Sequence, residues 1–101
     1  RREPVWRLEE AARFVEEGLD PDISARLEPE ALRSILRWHL NALQHDREFG
    51  NAVSAEDEAV AEMYMRARQE GLEVSRPEAQ AVVLGHFAYL ERIGAIGRAE
   101  R

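Results

Sequence analysis

The sequence contains no cysteine, no lysine and no threonine among its 101 residues. The lack of cysteine excludes disulfide bonds, zinc–thiolate sites and thiol catalysis. No apolar run approaches the length that a membrane span needs, and the first residues do not have the pattern of a signal peptide. All 14 basic residues are arginine, a usage typical of a GC-rich bacterial genome. These absences lead us to expect a soluble, cytoplasmic protein without a cofactor and without a membrane segment.

The charge balance is acidic, with 20 acidic against 14 basic residues and a net charge of −6. Domains that bind nucleic acids generally carry a basic face, so this balance argues against a general nucleic-acid binder. A hydrophobic fraction of 45% excludes a disordered acidic tail. The length predicts one domain, residues 1–101, with a single core. Because the chain opens on Arg1 rather than Met, we expect a trimmed chain or a piece of a larger protein.

The periodicity of apolar residues predicts four helices, and no strand pattern competes with them. Pro4 and Pro29 suit the first turn of a helix, and Gly18 and Gly71 suit a helix end. The predicted helices cover about residues 4–18, 29–45, 54–71 and 75–93. Between them we predict a turn at 20–22 within a loop over 20–28, and a mid-chain connection over 45–51.

Helix starts are also indicated by two capping boxes. Ser54 is followed three residues later by Asp57, and Ser75 by Glu78. In a capping box, a serine side chain and a carboxylate satisfy each other's backbone N–H groups at the helix start. We therefore place the starts of the third and fourth helices at these serines.

The two halves of the chain echo each other in the same order. The triplet EGL occurs at 17–19 and 70–72, PEA occurs at 29–31 and 77–79, and His39 and His86 hold matching places. We interpret residues 4–50 and 54–97 as two helix-loop-helix units, with chance similarity as the alternative. The predicted fold is an all-α, small four-helix bundle of two hairpins with a pseudo-twofold internal repeat.

The fourth predicted helix is apolar nearly all round, which is typical of a helix that is central in its bundle or paired with another chain. We therefore predict a non-enzymatic protein–protein interaction module, either a homodimer or a domain docked on the rest of a larger protein. Trp6 is a further aromatic candidate, and core packing is the alternative role for every candidate. The predicted interface residues are Trp38, Phe87, Tyr89, Ile93 and Ile96.

The histidines are the best candidates for chemistry. One hypothesis makes His39 and His86 a shared metal or proton-handling pair, and the alternative makes them core histidines bonded to their neighbours. The ligand spacing of bundle-type metal centres is missing, as are a nucleophile elbow and a Gly-rich phosphate loop. We accordingly predict no catalytic, cofactor or metal residues.

A DNA-binding function is the alternative hypothesis. The string RQEGLEVSRPE is followed by an apolar helix that ends in LERIGAI. This part of the chain resembles the turn and recognition helix of bacterial winged-helix regulators, which would make Arg76 and Gln80 the base-contacting residues. Two departures weaken the resemblance. Glu78 would face phosphate, and no strand-turn-strand wing follows.

Overall fold

The computed structural model describes residues 3–48 and 56–96, and within these ranges every regular element is a helix. The all-α class is therefore confirmed, whereas the four-helix bundle of two hairpins and the internal repeat are not. The described helices number five rather than four: α1 (Leu8–Gly18), α2 (Pro21–Arg26), α3 (Pro29–Glu48), α4 (Glu56–Gln69) and α5 (Arg76–Arg92). None of them combines the length and the apolar character that crossing a membrane requires.

The first helix begins four residues later than predicted. Residues 3–7 are not helical, and Arg7 precedes α1 in an extended conformation, with φ −127° and ψ 127°. Pro4 is therefore not in a first helical turn. The indole of Trp6 hydrogen-bonds His86 on α5, so a contact with a distant part of the chain directs these residues away from the helix axis. Helix propensity is a weak preference that such tertiary contacts override.

The predicted turn at 20–22 is wrong, because it contains the start of the short helix α2. Asp20 is the N-cap of α2 and Pro21 lies in its first turn. The backbone N–H of Ser24 donates to the Asp20 carbonyl at 2.9 Å, which closes the first helical turn. A proline with its fixed φ suits a helix start as well as a turn, so the sequence pattern fitted both structures.

The mid-chain connection begins later than predicted, since α3 continues through His45 to Glu48. Phe49, Gly50 and Asn51, which we assigned to the connection, lie outside the described residues, as does the Ser54 cap. Glu56 and Asp57 lie in the exposed first turn of α4, where carboxylates complement the positive end of the helix dipole.

The joint between α4 and α5 confirms the predicted signals at both ends. Gly71 has a φ of +78°, and the N–H groups of Gly71 and Leu72 donate to the carbonyls of Arg68 and Ala67. This pair of bonds is the Schellman arrangement that ends a helix on a left-handed glycine. The capping box of Ser75 and Glu78 is complete. The backbone N–H of Ser75 donates to Glu78 Oε1 at 2.9 Å, and the backbone N–H of Glu78 donates to Ser75 Oγ at 3.2 Å.

The corresponding joint in the first half is built differently. Gly18 is the last residue of α1 and does not have a positive φ, and the following residue, Leu19, is the C-cap in an extended conformation. The helix α2 then occupies the interval before α3, and no helix lies between α4 and α5. The EGL triplet therefore recurs in sequence without recurring in local geometry, whereas both PEA triplets lie in the first turn of a helix.

The core is centred on α5, which contacts α1, α3 and α4. At Gly85, α5 comes so close to α1 that a Cβ atom there would lie 2.9 Å from Cγ1 of Val15. The buried apolar residues on α5 are Ala79, Val82, Val83, Tyr89 and Leu90. The largest buried side chains that meet them from the other helices are Val15, Ile35, Leu36 and Met63.

We expect Gly85→Ala to lower the free energy of unfolding by about 1–3 kcal/mol, because the added methyl group overpacks the α1–α5 contact. Val15 is β-branched and has little rotamer freedom to move aside. Gly18→Ala is the matched control, since a Cβ there meets nothing within 4 Å. Urea unfolding of the two variants provides the measurement, and equal stabilities would contradict the close approach.

Candidate functional site

Helix α5 has an apolar face on its outer side as well as on its inner side. Pro77, Ala81, Leu84 and Ala88 follow one another at spacings of four, three and four residues, which places them on one stripe of the helix. Pro77, Leu84 and Ala88 are exposed, and Ala81 is half-buried. Leu84 is the most prominent member, with 44% of its surface accessible. We call these four residues the outer stripe.

A recess of about 460 Å³ adjoins the outer stripe, between α5, α2 and the end of α1. Three of the four residues of α5 that line it, Ala81, Gly85 and Ala88, have small side chains or none. Its lining is largely apolar, with Asp20 as the one acidic residue among the described lining side chains. The main apolar lining residues are Phe14, Leu19, Ile23, Ala81, Leu84 and Ala88.

The predicted interface residues are placed mostly against the core of their own chain. Tyr89 is 2% exposed, and its hydroxyl donates to the Glu10 carboxylate at 2.7 Å. Phe87 is half-buried and meets the His39 ring edge-on, with 4.9 Å between ring centroids. Trp38 is half-buried beneath the Arg66 guanidinium, which lies 4.8 Å from the ring centroid.

The remaining two predicted interface residues lie around the C-terminal end of α5. Ile93 is half-buried, and Ile96 is 37% exposed. The five residues therefore do not form one surface. The outer stripe was not among the predicted interface residues, because the prediction favoured large aromatic side chains. Its four-three-four spacing was readable in the sequence.

Arg76 and Gln80, the residues of the DNA-binding alternative, are both exposed at the start of α5. The Arg76 guanidinium lies 4.9 Å from the centroid of the Tyr64 ring. We expected Glu78 to face phosphate in a DNA complex. Instead its side chain is only 7% exposed and is held in the capping box, so it does not project from the helix. The neighbours of Arg76 and Gln80 on the outer side of α5 are Pro77, Ala81 and Leu84. Their side chains have no polar groups that could hydrogen-bond to bases.

The structure brings together the two histidines of the matched positions. His39 on α3 and His86 on α5 are 1% and 0% exposed, and their Nδ1 atoms lie 2.7 Å apart. On its other side, His86 Nε2 lies 2.9 Å from the indole nitrogen of Trp6. The contacts thus form a chain from the N-terminal segment, residues 3–7, through α5 to α3. We call His39 and His86 the histidine pair.

The geometry determines which ring nitrogen carries each hydrogen. An indole N–H can only donate, so His86 Nε2 must accept from Trp6. The neutral His86 ring therefore carries its hydrogen on Nδ1 and donates it to His39 Nδ1. His39 in turn carries its hydrogen on Nε2, which is buried and has no hydrogen-bond partner among the described residues.

Burial in the core keeps both rings neutral. It lowers the pKa of His39 to about 4. Burial together with the neighbouring His39 ring lowers the pKa of His86 to about 3. In the apolar interior the charged form of each ring loses its hydration, and a charge on one ring repels a charge on the other.

The histidine pair does not have the geometry of a metal site. Two nitrogen ligands of a tetrahedral zinc ion, each about 2.0–2.1 Å from the metal, lie about 3.3 Å apart. The Nδ1 atoms are closer than that, at 2.7 Å, and a hydrogen lies between them. No group of three or more His, Asp or Glu side chains in residues 3–48 and 56–96 could hold a metal ion.

Comparison with protein-family models, with curated proteins and with solved structures gives no match to this chain. The function therefore has to be inferred from the outer stripe, the recess and the histidine pair themselves.

The neutral histidine pair should make the stability of the protein depend on pH. Since both folded pKa values lie below the ordinary value of 6.5, the unfolded chain binds more protons as the pH falls below 6.5. The stability that the two neutral rings contribute is fully present above about pH 6.5. It is lost as the pH falls toward the folded pKa values of about 4 for His39 and about 3 for His86. We expect the free energy of unfolding to drop by up to about 4 kcal/mol between pH 7 and pH 5.

Urea unfolding at these two pH values measures that drop. The His45→Gln variant is the control, because His45 is an exposed histidine on α3 and its loss should leave the drop in place. A stability that does not change between pH 7 and pH 5 would contradict the burial of two neutral rings.

Proposed function

We propose that this chain is a non-enzymatic helical interaction module that self-associates through the outer stripe of α5. The observation that carries the proposal is the apolar outer stripe beside an apolar recess, on a helix whose opposite face is already buried. An exposed leucine alone is unremarkable on a protein surface. A continuous apolar stripe with an adjoining recess is typical of a surface that another helix covers.

The spacing of the outer stripe supports a helix as the partner. Alternating steps of three and four residues are the pattern along which two helices pack side by side. Ala81 and Ala88 are small, so a second helix can approach closely on either side of Leu84. The Leu84 side chain then has the role of a knob that inserts between residues of the facing helix.

A second copy of the chain suits this surface because the surface is self-complementary. Leu84 projects from the same face that contains the recess. In a twofold dimer each surface meets its own copy, so Leu84 of each chain can occupy the recess of the other. The middle of the outer stripe, between Ala81 and Ala88, would lie at the twofold axis.

Charge and size set the expected strength of the association. Each chain carries a net charge of −6, so two copies repel at long range, and added salt should strengthen their association. The outer stripe from Pro77 to Ala88 is only about 16 Å long at 1.5 Å per residue. An interface of that size falls at the small end of the specific range, which predicts weak, concentration-dependent dimers.

The DNA-binding alternative has less support. Arg76 and Gln80 are the polar residues that are exposed in the first turns of α5. The outer stripe beside them, which continues toward the C-terminal end of the helix, is apolar. DNA binding would weaken as salt is added, which is the opposite of the salt dependence expected for self-association.

We expect the unaltered chain to form dimers reversibly over a concentration range of about 1 µM to 1 mM, and Leu84→Glu to stay monomeric over that range. The substitution places two carboxylates at the twofold axis and removes the apolar knob. Met65→Glu is the matched control, since Met65 is another exposed apolar residue, 55% accessible, on α4. Sedimentation velocity at low and high salt provides the measurement. An unaltered chain that stays monomeric, or equal effects of the two variants, would refute the proposal.

Disulfide trapping locates the contact independently. The chain has no cysteine, so Leu84→Cys introduces a single thiol, and Met65→Cys provides the control thiol. Under mild oxidation Leu84→Cys should form a covalent dimer much faster than Met65→Cys, because thiols near a twofold axis meet their own copies. Equal rates would place the contact elsewhere.

A further inference from the structure

We propose that the histidine pair is a proton-operated latch on the N-terminal segment. Uptake of one proton by the pair releases Trp6 from His86, and the segment of residues 3–7 leaves α5 while the helices stay folded. The proposal is independent of self-association through the outer stripe. It rests on the chain of contacts from Trp6 through His86 to His39.

At rest, the pair has no free acceptor. Two neutral imidazole rings carry two hydrogens and offer two acceptor nitrogens in total. The acceptor of His86 is taken by the indole N–H of Trp6, at 2.9 Å. The acceptor of His39 is taken by the Nδ1–H of His86, at 2.7 Å. A third hydrogen therefore cannot be added without breaking one of these two contacts.

The contact that breaks is the one with Trp6. If the pair keeps its shared hydrogen, the bond becomes an imidazolium–imidazole bond, which is stronger than the neutral one. His86 Nε2 then carries a hydrogen and faces the indole N–H, so two donors oppose each other. If Trp6 stayed instead, two Nδ1–H groups would face each other at 2.7 Å, and the buried charge would have lost its best partner.

Apart from the packing of the Trp6 ring against the core and the edge of His86, the N-terminal segment has few contacts that hold it. Val5 is 57% exposed, and Trp6 is half-buried. The backbone N–H of Arg7 reaches the hydroxyl of Tyr89 only at 3.5 Å. The first turn of α1 is closed on its own by the bond from Ala11 N–H to the Arg7 carbonyl, at 2.9 Å. The segment can therefore leave without unwinding α1, as a local opening.

Among the residues that the structure describes, no carboxylate hydrogen-bonds either ring or contributes to its lowered pKa, so none offsets the charge that the pair takes up. Glu10 accepts the Tyr89 hydroxyl, and the causes of the lowered pKa values are burial of both rings and, for His86, the His39 ring. Departure of Trp6 lets water reach His86, and this hydration is what stabilises the charge once the latch opens. The charged or titratable groups on the surrounding elements include Glu3 and Arg7 on the segment, Glu10 on α1, Arg37 and Asp46 on α3, Glu62 and Arg66 on α4, and Tyr89 and Glu91 on α5.

The opening should therefore occur in weak acid. We expect its midpoint between the pKa of about 4 that His39 has in the closed form and the ordinary histidine value of about 6.5. Because an open but folded chain can take up the proton, the loss of global stability becomes less steep below the midpoint.

Tryptophan fluorescence tests the latch directly. The chain has two tryptophans, and Trp38→Phe leaves Trp6 as the single reporter while keeping an aromatic ring under Arg66. As the pH falls from 7.5 to 4.5, we expect the Trp6 emission to shift to the red and its quenching by acrylamide to increase. Circular dichroism at the helical minimum should stay constant through that transition. Loss of helix in step with the Trp6 change would mean one concerted unfolding and would overturn the latch.

A substitution of His86 tests whether protonation of this ring causes the Trp6 transition. His86→Gln, made in the Trp38→Phe chain, retains a carbonyl oxygen that can accept from Trp6 but cannot titrate, so the Trp6 transition should disappear. The exposed His45→Gln in the same chain is the control and should leave the transition unchanged. A transition that persists in His86→Gln would overturn the latch.

Where His86→Gln does not fold, nitrogen-15 spectra of the histidine rings in the unaltered chain decide the question. At pH 7.5 we expect His86 to carry its hydrogen on Nδ1 and His39 to carry its hydrogen on Nε2. His86 should gain an Nε2 hydrogen at the pH at which Trp6 becomes exposed. Ring protonation without any change at Trp6 would overturn the proposal.

Discussion

The simultaneous packing of α5 against α1, α3 and α4 is the constraint on which the rest of the structure depends. Each of these helices covers part of the same 17-residue helix, so most of α5 has to be apolar. The small residue Gly85 lets α1 come into direct contact with it, at Val15. Three helices do not enclose a fourth completely in a chain of this size, and the outer stripe is the part that they leave uncovered.

The same central position explains the histidine pair. His86 lies on the inner side of α5 and His39 on the facing side of α3, so both rings are enclosed by apolar side chains. A buried polar ring requires a partner, and each ring has one in the other. Trp6 then satisfies the remaining acceptor of His86, which ties the N-terminal segment to the middle of the core. A structural solution for two buried rings thus also creates a site that is sensitive to protons.

Sequence patterns predicted the parts of the fold that depend on near neighbours. The joint of Gly71, Ser75 and Glu78 was predicted because its hydrogen bonds connect residues at most five positions apart. The start of α1 was predicted wrongly because Trp6 has its partner 80 positions away. For the candidate interface, the prediction favoured large aromatic residues, although the Tyr89 side chain is buried in the core of its own chain. The spacing of the outer stripe around Leu84 could be read in the sequence, but its exposure followed only from the tertiary structure, which shows the face of α5 that the other helices cover.

The sequence by itself determined the helical class, the absence of thiol chemistry, the capped joint before α5 and the apolar character of most of α5. These properties follow from composition and from contacts within about one helical turn. Only the tertiary structure decided which face of α5 stays exposed, how closely α1 approaches Gly85, and which nitrogen of each histidine carries a hydrogen. Those properties depend on distances of a few ångströms between residues far apart in the chain. Local spacing does not contain such distances, because they arise from the packing of whole helices against each other.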